Sequence, residues 1–444
     1  MRERRKQLVA LWMALLLLIS CGCGAGPTQT VPDSTPEPTP QQTEPPAAAP
    51  ELSGKSKVTT AYFGTVCSMV VFDDFSDPEA ERRFETVWRA VKELLTEIEN
   101  AVSVSVESSD IARFNALSCG ESVEIGEHTA NILQIAKRAF ADTGGLYDPS
   151  VFPLVDLWGF SPRFGEIGSA EPLSELYPPE EEYIRAFAAL ADFSGIRLTG
   201  GGERPWKLEK AVPAVIVDGR RFEAQLDLGG IAKGYAADAC TRIMREHGYE
   251  YGYFSCGGSS LSLLSGREGE EDIFLLGMKK PRGLIGGDIS YITVPAARCG
   301  LSTSGDYDHC RIVDGVRYCH ILDPGSGWPA NTPAAAGRQR GIATATVIGE
   351  NAAYTDCLST ALCLMAPREA LAFINERLGG YRVALVFYDA ADERCEIVTN
   401  LPEGSFTIDD ESYLPASRVD EQGQIRYTGR IFADLFADEE APGA

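Results

Sequence analysis

Asp356 and Thr360 stand four residues apart in the run Tyr354-Thr355-Asp356-Cys357-Leu358-Ser359-Thr360-Ala361. On a helix that spacing puts a carboxylate and a hydroxyl on one face, with Ser359 close by. Such a hard-oxygen pair suits Mg2+, which keeps waters and substrate phosphates as its other ligands. A helix cap, or a hydroxyl bonded back to the chain, uses the same residue types. A second segment, Leu226-Asp227-Leu228-Gly229-Gly230-Ile231-Ala232-Lys233-Gly234-Tyr235, leads from a strand into a helix through two glycines. A helix that starts this way exposes N–H groups that favour phosphate. Lys233 puts a cation in the first turn, where the dipole disfavours it, and a bound anion would account for that. A plain strand-to-helix turn is the other reading. In a third segment, Thr303-Ser304-Gly305-Asp306-Tyr307 is followed by His320-Ile321-Leu322-Asp323-Pro324. His320, one of four histidines, can take a proton from a hydroxyl, as can a carboxylate such as Asp306; a hydrogen-bonded structural histidine is the alternative. Finally, Gly144-Gly145-Leu146-Tyr147-Asp148-Pro149-Ser150 reads as a turn able to present main-chain groups and Asp148 to a polar ligand.

The elements that must hold these residues are of mixed type. Thr60 to Phe72 alternates as a strand. Glu79 to Val102 places Phe84, Val87, Val91, Leu94 and Ile98 on one helical face, and His128 to Ala141 is a second amphipathic helix. Ala214 to Val217 and Tyr251 to Phe254 read as strands, and Ile231 to Glu246 as a helix. Asp314-Gly315 between two short apolar runs marks a hairpin. Ala352 to Met365 is a helix, and Pro367 opens another that closes at Gly379-Gly380. The βαβ alternation is weak, and neither a G-x-G-x-x-G nor a Walker loop occurs, so the fold class is mixed α/β and not Rossmann.

The 444 residues carry 64 acidic and 40 basic side chains, a formal charge of −24. A surface of that sign repels nucleic acid and anionic headgroups, so a membrane location needs a covalent tether. The start of the chain reads as one, with an uncleaved signal anchor or a buried cysteine as the alternative. Arg2, Arg4, Arg5 and Lys6 precede an apolar stretch, Leu8 to Ile19, too short to span a bilayer. It ends at Leu18-Ile19-Ser20-Cys21, which resembles a bacterial lipoprotein signal: cleavage before Cys21 and lipid on its sulfur. Residues 21–55 are then a Pro/Thr-rich spacer, 56–400 the catalytic domain and 401–444 an acidic extension. The twelve cysteines include no C-x-x-C and no zinc spacing, and most read as unpaired core thiols.

In this order the four segments resemble the ApbE family, the FAD:protein FMN transferases. The similarity runs from about 60 to about 390 and is most specific at Asp227 to Tyr235, Thr303 to Tyr307 with His320 to Pro324, and Thr355 to Ala361. The resemblance implies a two-lobed α/β fold with FAD, the substrate, between the lobes. It implies Mg2+ on Asp356, Thr360 and the Gly230 carbonyl, with Ser359 assisting. The flavin site maps to Phe63, Leu146, Tyr147, Asp148, Asp227, Lys233 and Ile321, and catalysis to His320 and Lys233. The implied partner is an exported or membrane flavin-acceptor protein, such as a subunit of an ion-translocating redox complex, at the extracytoplasmic face. Attack by water in place of the acceptor hydroxyl would make the same residues a FAD pyrophosphatase; a non-catalytic flavin-binding lipoprotein is a third reading. In places the chain departs from the pattern: Ser105 stands where an aromatic is usual, Phe63 replaces a Met and Cys319 a His.

Overall fold

In the computed structural model of the chain, the described residues are 53–161, 177–265, 273–281, 288–295, 299–333, 340–390, 394–408 and 410–436. Cys21, with the signal and nearly all of the spacer expected before residue 56, lies outside them. No helix among the described residues is long and apolar enough to cross a membrane.

The unit Pro50–Ala444 is organised on a nine-stranded sheet. Its strands are β1 (Ser53–Tyr62), β2 (Thr65–Asp73), β3 (Tyr251–Cys256), β4 (Ser260–Ser265), β5 (Cys299–Gly305), β6 (Arg340–Gly349), β7 (Arg382–Asp389), β8 (Arg394–Thr399) and β9 (Tyr413–Pro415). Their order across the sheet is their order in the chain. Every neighbouring pair is antiparallel except β8 and β9, which rules out a Rossmann arrangement. Both faces of the sheet are covered. Val383, Leu385 and Phe387 of β7 point into the largest apolar cluster, while Ala384 and Val386 point into a second one. A third cluster gathers Leu154, Trp158, Phe187 and Tyr318.

The single strand expected over Thr60 to Phe72 is two strands. Phe63 and Gly64 both adopt the left-handed conformation, φ 52° and 61°, and reverse the chain between β1 and β2. The alternation persists on both sides of the turn, so the pattern alone runs through it.

Helices fill the long connections. Helix α1 (Pro78–Val102) starts at Asp77, whose carboxylate accepts from Glu79 N at 2.8 Å. It buries Leu95 where Leu94 was expected. Between β2 and β3 also lie α2 (Asp110–Asn115), α3 (Glu127–Asp142), α4 (Phe152–Leu157), α5 (Glu181–Ala188) and α6 (Gly229–Glu246). Helices α7 (Ala352–Leu364) and α8 (Pro367–Arg377) join β6 to β7. The expected hairpin is Cys310–Val313 and Val316–Cys319, turning at Asp314 and Gly315 with φ 50° and 80°.

Residues after 400 pack into the same unit. Phe406–Ile408 pairs with the strand Asp288–Pro295, and β9 lies beside β8. The buried carboxylate of Glu396 in β8 takes the Tyr427 hydroxyl, Arg430 N at 2.6 Å and Ile431 N at 3.2 Å.

Candidate active site

Helices α6 and α7 cross at close range, and the crossing makes the site. A side chain at Gly234 would put its first carbon 2.2 Å from the Ala352 carbonyl oxygen, so only glycine fits there. Asp238 of α6 accepts from Ala352 N and Ala353 N, each at 3.0 Å, and so caps α7. One turn further along α7, Asp356 Oδ2 accepts from Gly234 N at 3.2 Å. The two helices are thus tied at both ends of their contact by carboxylates meeting main-chain N–H groups.

Asp356 is buried, and burial raises its carboxyl to about 6; the Lys233 charge and the Gly234 N–H act the other way. Thr360 Oγ1 donates to the Asp356 carbonyl at 3.1 Å, and Ser359 Oγ does so at 3.0 Å. Ser304, at the end of β5, bridges them: its hydroxyl lies 2.8 Å from Ser359 Oγ and 3.1 Å from Thr360 Oγ1. Gly230 faces the same place. A carbon added at its Cβ position would lie 4.0 Å from Thr360 Oγ1 and 3.5 Å from the Tyr147 ring. Asp356, Thr360, Ser359 and Gly230, expected together, therefore border one small region.

This donor set fits the metal that the resemblance implies. Carboxylate, hydroxyl and carbonyl oxygens are hard donors. A buried carboxylate whose ionised form burial disfavours gains most from a cation beside it. Among the described residues, no three His, Cys, Asp or Glu side chains form a metal cage, so the ion would need hydroxyl and main-chain oxygens as well as Asp356.

The glycine turn is arranged differently from the expectation of free amides. Asp227 Oδ1 accepts from Gly229 N at 2.8 Å, so a carboxylate of the chain already meets the first N–H of α6. Lys233 Nζ donates to Gly229 O at 2.6 Å, which folds the side chain back over its own first turn. There its charge favours the ionised forms of Asp227 and Asp356 and opposes protonation of His309 and His320.

His320 follows the hairpin, and its ring packs edge-on to His309 with centroids 5.2 Å apart. His320 N and Nδ1 both lie near the His309 carbonyl, at 3.0 and 3.2 Å. A carbonyl only accepts, so Nδ1 carries the proton and Nε2 keeps a lone pair. Burial pushes the ring down to about 3, and it is neutral at ordinary pH. Ile321, the next residue, is buried, with its carbonyl accepting from Ala330 N at 2.9 Å.

Other expected ligand residues hold the frame. Asp148 Oδ1 accepts from Ser150 N at 2.7 Å and from the Ser150 hydroxyl, and its Oδ2 accepts from Phe193 N at 3.2 Å. Its carboxylate therefore shapes its own loop, with Tyr147 buried against Gly230 and Leu146 half-buried at the turn. Phe63 sits on the β1–β2 turn, its N–H donated to Glu99 Oε1 at 3.1 Å. Asp306, weighed as a second base, is buried, and Oδ2 accepts from Asn331 Nδ2 at 2.9 Å. Sequence reasoning included Ser304 in the Thr303 to Tyr307 segment, and Asn115 in a weaker family echo over Ser109 to Asn115, but gave neither a role. The segment entering the glycine turn, expected as a strand, is extended chain with a single bridge between Gln225 and Val151, and Asn115 clasps it: Nδ2 donates to Leu226 O at 2.9 Å, and Oδ1 accepts from Leu226 N at 2.7 Å. A short helix ending in Asn was the available signal for it, and a serine two residues before Asp306 the signal for Ser304.

Known proteins resemble this chain in sequence and in fold. The FAD:protein FMN transferase of Vibrio cholerae is 27% identical over 288 residues, 65% of this chain and 76% of that protein. The enzyme of the same name from Salmonella typhimurium is 27% identical over 333 residues, 74% of this chain and 83% of its own. Among solved structures, an ApbE protein from Thermotoga maritima superposes with a TM-score of 0.59 at 27% identity, covering 76% of this chain and 94% of that one. The apo flavinyl transferase ApbE of Pseudomonas stutzeri gives 0.60 at 26% identity, covering 80% and 95%. The profile of the ApbE family matches residues 63–385, nearly three quarters of the sequence and every segment of the site, and the chain belongs to that family.

Proposed function

We propose that this chain is a transferase that moves FMN from FAD onto a Thr or Ser hydroxyl of an acceptor protein and releases AMP. The observation that carries this reading is the convergence of Asp356, Thr360 and Gly230 on one region that also feels the Lys233 charge. Asp356, Thr360 and the Gly230 carbonyl would hold Mg2+, with Ser359 and Ser304 setting the Thr360 hydroxyl. A magnesium ion bound there supplies charge neutralisation for the diphosphate of FAD.

The residues divide the remaining work. Lys233 lies at the start of α6, where a positive charge beside the helix N-terminus draws the substrate diphosphate. The half-buried Phe63 turn offers apolar surface to the flavin end, while the buried Tyr147 backs Gly230. His320 Nε2 receives the proton of the acceptor hydroxyl as oxygen attacks the phosphorus on the FMN side. Burial is the main force against that protonation, with His309 and Lys233 adding to it, and a negative diphosphate beside Lys233 would favour the protonated ring. Positioning and charge placement account for most of the rate, as in other phosphoryl transfers.

The same reading places the chain at the extracytoplasmic face of the membrane, tethered by lipid on Cys21, with an exported or membrane flavoprotein subunit as its partner. Support comes from the leader, the spacer and an acidic composition that gives no electrostatic hold on a membrane or a nucleic acid. The test is incubation with FAD, Mg2+ and a candidate acceptor subunit, then denaturation and assay of both AMP and protein-bound flavin. Equal amounts of the two are expected. AMP with only free FMN would replace the transferase with a pyrophosphatase, and no AMP at all would end the catalytic reading.

A further inference from the structure

Ten cysteines lie among the described residues, none of them in a disulfide, and one pair differs from the rest. Cys67 of β2 and Cys256 of β3 are direct partners in the antiparallel ladder, both fully buried, with their sulfurs 3.3 Å apart. A disulfide needs ~2.0 Å between sulfurs and α-carbons ~4.4–6.8 Å apart. Directly opposed antiparallel residues already have α-carbons ~4.5–5.5 Å apart. Bonding the sulfurs therefore asks for small side-chain rotations and no shift of strands.

Register alone does not produce this. Cys310 and Cys319 also face each other across their hairpin. Yet Cys310 Sγ accepts from Arg317 at 2.7 Å and lies 3.3 Å from the Tyr307 carbonyl. Cys319 Sγ turns to the carbonyls of Ile321 and Ala330, at 3.6 and 3.8 Å. At Cys67 and Cys256, by contrast, the two sulfurs of a register pair are aimed at each other. Of the other buried thiols in the same apolar cluster, Cys240 interacts with both and is the natural competitor.

We propose that Cys67 and Cys256 form a structural disulfide when the chain folds in the presence of a small-molecule disulfide. Two S–H bonds break and one S–S bond forms. The two electrons pass to the external disulfide, whose S–S bond opens and which leaves as two thiols carrying the two protons. The exchange takes place before β2 closes on β3, because afterwards neither sulfur meets solvent. The bond joins residues 189 apart in sequence, and long loops gain most from closure. It also fastens the β1–β2 hairpin, which carries Phe63 at its tip, to the strand whose exit turn donates Gly257 N to Val66 O at 2.8 Å. That places the crosslink beside the flavin end of the proposed site, though it does not depend on the reaction assigned there.

The test uses the whole chain, refolded from denaturant with oxidised and reduced glutathione or with reduced glutathione alone. Free thiols are alkylated in denaturant, and the unreduced protein is digested and mapped by mass spectrometry. The expected result is two fewer alkylated thiols after oxidative refolding, a 67–256 linked peptide, and a higher melting temperature that reductant removes. Cys67→Ser and Cys256→Ser should each abolish the linked peptide and the thermal gain. Alkylation of both residues after oxidative refolding, or a bridge through Cys240, would overturn the proposal; mapping the unmutated chain decides this even if a serine variant folds poorly.

Discussion

Asp356 is costly to this fold in its ionised form. Its carboxyl lies raised, at about 6 against an ordinary 3.8, because it is buried. A carboxyl raised in the folded state weakens folding once it must ionise: the penalty is absent below about 3.8, grows towards 6 and is constant above. Asp356→Asn in a chelator should therefore raise stability at pH 8 by on the order of 2 kcal/mol, with the gain vanishing near pH 4. The same variant should lose Mg2+-dependent transfer. Thermal melts across pH, with and without Mg2+, check both halves, and a less stable variant at pH 8 would refute the assignment. Ser304 carries a subtler role. Ser304→Ala removes the hydroxyl that bridges Ser359 and Thr360 and leaves them only the Asp356 carbonyl in common; a buried hydrogen bond contributes ~0.5–1.5 kcal/mol. The Mg2+ concentration for half-maximal transfer should rise ~3- to 10-fold with the fold unchanged. Asp356 and Thr360 were legible because an i, i+4 pair is a local fact. Ser304 was not, because its partners lie 55 and 56 residues away and only the β5–α7 packing joins them.

At the level of elements, most helices and the hairpin could be read from periodicity and turn residues, since Asp77-Pro78, Asp314-Gly315 and Pro367 punctuate the chain. The turn at Phe63 was hidden because a left-handed non-glycine residue leaves no mark in the alternation. The meeting of α6 with α7 was also invisible, although its requirement is written in one residue. Gly234→Ala would drive a methyl group to 2.2 Å from the Ala352 carbonyl, which forces the helices apart. Overpacking of this kind costs ~1–3 kcal/mol. The expected outcome is a lower melting temperature together with loss of the Asp356–Gly234 bond and of metal response. A variant with unchanged melting and full Mg2+ response would show that the crossing does not set the site.

For the molecule as a whole, the acidic charge and the mixed α/β class were plain from composition and pattern, whereas the strict strand order was not. Nothing local says that β2 and β3, 177 residues apart, lie side by side. The site forms because those long excursions return to adjacent strands. The match to the family model ends at 385, inside β7, but the packing continues through Ile431. A chain stopped at 400 should accordingly be less stable than the full chain, and should expose hydrophobic surface to a dye such as ANS. Equal stability would show that the last segment only decorates the sheet.

Glu396 gives that expectation its chemistry. Its carboxylate is a hasp: one short side chain on β8 engages three groups from the stretch 427–431 and locks the end of the polypeptide over Phe387 and Phe432. Expression tags and fusion junctions placed after residue 436 leave the hasp shut, while a boundary drawn where similarity fades would leave it open on a bare anion.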